Sequence, residues 1–542
     1  MNTEVDGTEH AQPTGVARRR KWLWASVGLI AVVVIVIASA IAAVPLSSDV
    51  VRHRIVDTLS HRLDADVALG DLHWRVFPRL RAEGTALTIR RRDAGAYPPL
   101  ISVRSFSVEG DLIGVWRKHV ARVTLEGLDI QVPPDDNDND ADARGSASTT
   151  TAERNSDYTA YDGVVIDTLD ANGAKLTIIP RKQGKNPRVW AIHTLQMHDV
   201  GAEAAMPFRA TLTNAVPPGD IDTSGSFGPW SRRNPGTTPL KGAFTFARAD
   251  LNVFKGIAGT LSARGTFGGS LERIVVDGET DTPDFTIDIG RHPFPLHTKY
   301  QAVVDGTNGD TYLERIDASF LNSSLVAKGA VLDGPKGTHG RTVTLDIDMQ
   351  PARIEDVMFM AVPTPKAPMK GALKLRTKFV LPPGEPDVPH RLQLDGRFSI
   401  TDAQFTNYDV QGKIASLSHL GRARDPQAPK QNVASNFEGR FRLGGGRLAL
   451  PDLTFGVPGA RVELAGNYAL ERETLDFRGR LLMDAKISQT RRGFKSILLK
   501  VVDPLFKRKG GGSSVPIKIN GTRDNPTFGL DVGRVFKRRN SD

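Results

Sequence analysis

Apolar and polar residues alternate along most of this chain, and this two-residue period constrains its fold more than any other feature. Val343, Leu345, Ile347 and Met349 alternate with polar residues without interruption, and a longer series of short alternating runs occupies residues 448–483. Successive side chains of a strand point to opposite faces of a sheet. The period therefore predicts strands with one apolar and one polar face.

Glycine and proline punctuate these segments. The 542 residues include 52 Gly and 34 Pro, scattered along the chain, and such residues suit short strands joined by tight turns. A loose phrase recurs in which glycine precedes an aromatic residue by two positions, as in Gly396 with Phe398 and Gly439 with Phe441. We expect a mainly β fold, an elongated antiparallel meander curled into a trough, with short amphipathic helices at both ends.

An apolar stretch without charged residues lies near the N-terminus, at residues 22–44. A helix of this length spans a hydrocarbon core of roughly 30 Å. The basic residues 18–21 precede it, so we expect the N-terminus in the cytoplasm and the chain after Pro45 on the other side of the membrane. A cleaved signal peptide is the rival interpretation, because residues 38–40 resemble a cleavage site. The stretch is longer than the usual apolar core of a signal peptide, which favours an uncleaved single-pass anchor.

A helical period follows Pro45. Val51, Ile55, Leu59 and Leu63 recur every four residues and form an apolar stripe. This helix either rests on the outer lipid headgroups or caps the first strands, and capping is the favoured interpretation.

The C-terminal segment has the spacing of a second, basic amphipathic helix, which ends at the glycines of residues 510–512. Such a helix docks on a membrane or a partner, or it plugs the end of a β-sheet; the sequence leaves both interpretations open. The residues of this candidate docking helix are Phe494, Ile497, Leu498, Val501, Leu505 and Phe506.

Composition and motifs argue against several functional classes. The net charge is +10, but basic residues are not interleaved with aromatic ones, so we expect anionic lipid headgroups as partners and not nucleic acid. The chain has no cysteine for a thiolate metal site, and the acidic residues 135–142 lack the Gly and Glu of a calcium loop. No nucleophile elbow or phosphate-binding loop occurs in the sequence, so we expect neither an enzyme nor a cofactor.

The composition also predicts how the chain is divided. The expected segments are a cytoplasmic tail (1–21), the transmembrane helix (22–44), an N-terminal periplasmic helix with the first strands (45–134), a flexible acidic and polar linker (135–157), an elongated β-rich periplasmic domain (158–483), and the basic amphipathic helix with C-terminal strands (484–542).

Several phrases, in this order, resemble the AsmA family of bacterial envelope proteins, to which TamB is related. After the membrane helix come residues 45–52 and then residues 70–80, where Gly70-Asp71-Leu72 begins a phrase like the family's own. Residues 249–285 and 484–526 continue the resemblance, which covers nearly the whole chain from residue 18.

The resemblance implies a protein of the bacterial inner membrane whose bulk lies in the periplasm and serves outer-membrane biogenesis. It also implies phospholipid transport or homeostasis between the membranes through an apolar β-groove, with possible periplasmic or outer-membrane protein partners. The candidate groove lining consists of Val343, Leu345, Ile347, Leu448, Leu450, Phe455, Val462, Leu464, Leu475 and Phe477.

Two interpretations of the apolar face remain open. Acyl chains would solvate the face of an open trough, whereas a second sheet would cover it in a dry sandwich. In the second case the alternative function is a non-catalytic scaffold that modulates outer-membrane protein assembly, with an edge strand available for pairing.

Overall fold

A computed structural model describes most of the chain between residues 48 and 531. The described ranges are 48–63, 65–75, 79–91, 99–111, 114, 117–132, 165–178, 188–201, 203–231, 234–334, 340–363, 366–384, 387–406, 434–484, 513–522 and 525–531. The predicted transmembrane helix, the predicted linker at 135–157 and the candidate docking helix at 494–506 lie outside these ranges. None of the helices within the described ranges has the length and apolar character needed to cross a membrane.

Strands dominate the described residues, as the alternation predicted. The helices are α1 (Ser48–Leu63), α2 (Ile354–Ala361) and α3 (Val388–Arg391). The strands are β1 (Ala65–Ala68), β2 (Leu72–Arg75), β3 (Leu80–Arg91), β4 (Ile101–Gly110), β5 (His119–Val132), β6 (Val165–Ile178), β7 (Arg188–Val200), β8 (Met206–Thr213), β9 (Asp220–Phe227), β10 (Pro239–Asp250), β11 (Ile257–Ala258), β12 (Thr260–Ser270), β13 (Arg273–Ile287), β14 (Phe294–Val304), β15 (Thr311–Phe320), β16 (Ser323–Asp333), β17 (Arg341–Arg353), β18 (Met369–Leu381), β19 (Gln393–Phe405), β20 (Ser435–Gly444), β21 (Arg447–Val457), β22 (Ala460–Ala469), β23 (Thr474–Met483), β24 (Ser513–Thr522) and β25 (Pro526–Leu530).

The chain divides into two compact units. The first comprises residues 1–249, 264–275 and 305–308, and the second comprises residues 250–263, 276–304 and 309–542.

The first unit begins with α1, which packs against β1 and β2. Ile55 and Leu59, two residues of the predicted apolar stripe, are fully buried there. They join a core cluster built from the apolar positions of β1 to β8. The helix therefore caps the first strands, and this choice between the two interpretations is confirmed.

One pairing in the first unit departs from the predicted antiparallel meander. β5 and β6 are parallel, with His119 opposite Val165 and Val132 opposite Ile178. The prediction is therefore wrong at this point, because alternation specifies the faces of a strand but not its direction. Parallel neighbours need a crossover connection of a dozen or more residues, and residues 133–164 separate these two strands.

In the second unit the strands from β14 to β25 pair antiparallel in chain order. Directly opposed residues share a face, so the registers show which side chains lie together. One face of β16–β25 carries mainly apolar side chains, and we call it the apolar face. Its residues include Ile347, Phe398, Leu453 and Phe477. The other, the polar face, carries residues such as Arg376.

The buried core of the second unit lies toward one end of these strands. One cluster includes Met369, Leu373, Ile400 and Ala403, and α2 packs against it with its apolar side chains. A smaller cluster consists of Val457, Ala460, Met483 and Val515. We call this end of the strands, where β17 ends and β18 begins, the closed edge.

Candidate functional site

The structure brings all ten predicted groove residues onto the apolar face. They come from four strands, β17, β21, β22 and β23. On neighbouring strands, Phe455 lies opposite Val462, and Tyr468 lies opposite Leu475. The two-residue period assigned these side chains to one face within β17, β22 and β23, but it could neither pair the strands nor place Phe455 of β21 with Leu448 and Leu450.

Cross-strand register joins β17 to β21 through three strands that the prediction left out. Leu345 lies opposite Phe379, and Leu448 lies opposite Leu443. The complete row, each residue directly opposite the next, is Gly329, Leu345, Phe379, Leu394, Leu443, Leu448, Tyr468, Leu475 and Gly521. The apolar face is therefore continuous across these nine strands.

An irregularity in β21 keeps the apolar residues of this strand on one face. The register of β21 with β22 shifts between Leu450 and Leu453, whose spacing of three would otherwise put them on opposite faces. A bulge adds one residue to a strand and so restores the alternation. The apolar face therefore continues past this point to Phe455 and Val457.

Most of the predicted groove residues are half-buried. Val462 and Phe477 are buried, with 8% and 7% of their surface exposed, and the other eight keep an intermediate exposure. Phe379, Leu394 and Leu443, on the same row as Leu345, are half-buried too. Burial is therefore greatest at the closed edge and, except at the rings of Phe441 and Phe477, partial along the rest of the face.

The contacts between the described elements explain this gradient. From β16 to β25 each strand packs against its hydrogen-bonded neighbours, and α2 packs against β17 and β18. Asp356 of α2 is 4% exposed, and its carboxylate accepts hydrogen bonds from the Ser323 hydroxyl at 2.7 Å and the Asn322 N–H at 3.0 Å. These bonds fix α2 at the closed edge.

Glycines on the apolar face make room for aromatic rings of the next strand. A Cβ on Gly396 would lie 2.9 Å from Cζ of Phe441, and one on Gly466 would lie 2.6 Å from Cδ1 of Phe477. Real Cβ atoms essentially never approach other atoms to less than 3.0 Å. The recurring glycine-aromatic phrase thus has a physical reason, because these glycines let the rings pack close to the backbone.

The polar face carries ion pairs between neighbouring strands. Arg376 contacts Asp348 at 2.7 Å, and Arg480 contacts Glu463 at 2.9 Å. All four of these side chains are more than a third exposed, so each pair contributes little to stability. Their role is to keep this face hydrated.

Two carboxylates at the C-terminal end of β13 bind backbone N–H groups. Asp284 accepts a hydrogen bond from the Thr260 N–H at 2.8 Å, and Asp288 accepts one from the Gly256 N–H at 3.1 Å. His53 and His61 are exposed on α1. Among the described residues, no three His, Asp or Glu side chains are grouped so that they could hold a metal ion.

Sequence reasoning missed the contributions of β18, β19 and β20 to the apolar face. Phe379, Leu394 and Leu443 alternate with polar residues in their own strands, so the signal was present. Their position beside Leu345 and Leu448 depends on pairing, which a single sequence does not specify.

Comparisons of the chain with protein-family models, with curated proteins and with solved structures found no match.

Proposed function

We propose that this chain is an inner-membrane-anchored periplasmic protein of outer-membrane biogenesis that takes part in phospholipid transport or homeostasis between the two membranes. In this proposal the apolar face of β16–β25 binds the acyl chains. Residues 22–44 are the anchor, and the resemblance to the AsmA family supports the location and the process.

The observation that carries the proposal is the partial burial of a continuous apolar row. Leucine, phenylalanine and tyrosine side chains from Leu345 to Leu475 lie side by side across neighbouring strands and remain half-buried. In a dry sandwich, two facing sheets interdigitate and bury such residues, as the closed edge does for Ile400 and Met483. Contiguous exposed apolar surface typically marks a binding site.

An acyl chain suits this surface chemically. Burying each methylene group against apolar side chains contributes about 0.8 kcal/mol, and the interaction has no directional requirement. A long row of leucines therefore binds chains of different length and saturation, and polar groups need not be matched along the row.

Lipid retention tests this proposal. The full-length chain is purified in detergent, and the phospholipid that remains bound is extracted and quantified by mass spectrometry. We expect bound phospholipid in stoichiometric amount.

The neighbouring residues Leu481 and Leu482 provide a matched pair of variants. Both are half-buried, but Leu481 lies opposite Val462 on the apolar face, whereas Leu482 lies opposite Arg461 on the polar face. We expect Leu481→Gln to reduce the retained phospholipid at least threefold and Leu482→Gln to leave it unchanged, with circular dichroism checking that both variants fold. Absence of bound lipid from the wild-type protein, together with co-purifying envelope proteins, would favour the scaffold function instead.

A further inference from the structure

Three arginines lie side by side on the polar face of the second unit. Arg376, Arg397 and Arg440 occupy directly opposed positions on β18, β19 and β20. Asp348 lies opposite Arg376 at one end, and Asp452 lies opposite Arg440 at the other. We call these five residues the arginine row.

The two outer arginines are paired and the central one is not. Arg376 donates to Asp348 at 2.7 Å, and Arg440 donates to Asp452 at 2.5 Å. Within the described part of the chain Arg397 has no ion pair or hydrogen bond through its guanidinium group. Like charges directly opposite each other across a strand pair are destabilising, so the row carries an uncompensated charge at its centre.

Neighbouring carboxylates are bound to other partners. On the polar face next to Arg397, Asp395 accepts from Arg442 at 3.0 Å and Glu438 accepts from Arg461 at 3.1 Å. Desolvation raises the pKa of the Asp452 carboxyl, but hydrogen bonds from the Arg440 backbone N–H and guanidinium outweigh it and leave the pKa below its ordinary value. Asp452 therefore stays ionised and bound to Arg440.

A groove surrounds this central charge. It has a volume of about 580 Å³, which lies within the roughly 300–1,000 Å³ of small-ligand sites. Lys374 and Ser399 line it together with Arg397, and they lie directly opposite each other on β18 and β19. The lining also includes the carboxylates of Asp348, Glu438 and Asp452, and Glu438 lies directly opposite Ser399. Because these carboxylates pair with Arg376, Arg461 and Arg440, the groups that the groove leaves without an ion pair among the described residues are the Arg397 guanidinium, the Lys374 ammonium and the Ser399 hydroxyl.

We propose that this groove is a binding site for a phosphate-type oxyanion, with Arg397 as its central ligand and Lys374 and Ser399 as flanking donors. A guanidinium group binds two phosphate oxygens at once, and an ammonium group adds a compact charge. The bound anion offsets the repulsion along the arginine row. The site lies on the polar face and does not depend on lipid binding to the apolar face.

Free phosphate and the phosphate of a lipid headgroup share this chemistry, and two soluble probes distinguish them. Inorganic phosphate and glycerophosphoglycerol, the headgroup of phosphatidylglycerol without its acyl chains, are titrated into the full-length protein in detergent by calorimetry at constant ionic strength. Saturable binding of either probe is expected, and the tighter probe identifies the source of the anion.

Variants assign the binding to this groove. Arg397→Gln is expected to weaken the binding at least tenfold, and Ser399→Glu, which puts a carboxylate beside Arg397, is expected to abolish it. Arg315→Gln is the matched control, because Arg315 is exposed and pairs with Asp317 at 2.7 Å outside the groove; it is expected to change the affinity less than twofold.

Thermal melting gives a second readout that needs no calorimetric signal. The tighter probe should raise the Tm of the wild-type protein and of Arg315→Gln, but not that of Arg397→Gln. The proposal is overturned if neither probe binds, or if Arg397→Gln and Arg315→Gln weaken binding equally.

Discussion

The ring of Phe441 packs against Gly396 on the neighbouring strand, so closely that a Cβ on Gly396 would lie 2.9 Å from the ring atom Cζ. Phe441 is 9% exposed, whereas Leu394, two residues before Gly396, is only half-buried. Glycine at this position therefore allows an aromatic side chain to be buried on a face that is otherwise partly open.

Replacement of Gly396 by alanine should destabilise β19 and β20. The added methyl group would lie 2.4 Å from the Arg376 carbonyl oxygen as well as against the ring, so the strands must shift. We expect a loss of about 1–3 kcal/mol, as for overpacked cores. Hydrogen exchange of peptides from these two strands measures it. Gly444→Ala is the control, because nothing lies within 4 Å of a Cβ there; equal effects of the two substitutions would contradict this account.

Truncation of Leu59 tests the capping role of α1. Leu59 is fully buried against the first strands, so Leu59→Ala should cost the first unit about 2–5 kcal/mol. Hydrogen exchange in β1 and β2 should increase, while the neighbouring substitution Thr58→Ala, at a half-buried residue, should have little effect. A Leu59→Ala protein of unchanged stability would indicate that this side chain does not cap the strands.

The buried carboxylate of Asp356 should be essential for holding α2 at the closed edge. Asp356→Ala leaves the Ser323 hydroxyl and the Asn322 N–H without their acceptor, at an expected cost of about 1–3 kcal/mol. Urea unfolding followed by circular dichroism measures the loss. Asp333→Ala removes a carboxylate that is 71% exposed and should change stability by less than about 0.5 kcal/mol.

His390 should titrate above its ordinary value of 6.5. The hydrogen bond between its Nδ1 and Asp387, and the charge of that carboxylate, raise the pKa; Glu471, 4.0 Å from Nε2, adds to the effect. A raised pKa stabilises the fold below the ordinary value, and this contribution is lost as the pH rises through the folded-state pKa. An NMR titration should show a lower His390 pKa in Asp387→Asn and a smaller decrease in Glu471→Gln. An unchanged pKa in Asp387→Asn would contradict the assignment.

Much of the fold follows from the two-residue period, because burial on one side of a sheet constrains each strand locally. The predicted groove residues of β17, β22 and β23 share a face for this reason. In β21 the bulge between Leu450 and Leu453, which was not predicted, brings Phe455 onto the face of Leu448 and Leu450. In α1 the predicted burial of Ile55 and Leu59 is confirmed, and it follows from a period of four.

Which strands pair, and whether they run parallel or antiparallel, was not predictable from local patterns. The parallel contact of β5 with β6 depends on the connection between them, and the arginine row depends on the registers of five strands. Arg376, Arg397 and Arg440 are separated by 21 and 43 residues in the sequence, so no local motif relates them.

Photo-crosslinking in cells tests the central claim most directly, because adjacent residues of one strand sample the two faces. A photoreactive amino acid is placed at Leu345, Phe455 and Leu475 on the apolar face, and at the neighbouring Asp346, Gly456 and Asp476 on the polar face, all three outside the groove of Arg397. Adducts are then identified by mass spectrometry. We expect phospholipid adducts at the three apolar positions and at none of the three polar ones. Phospholipid adducts of equal yield on both faces, or protein adducts alone at the apolar positions, would contradict it.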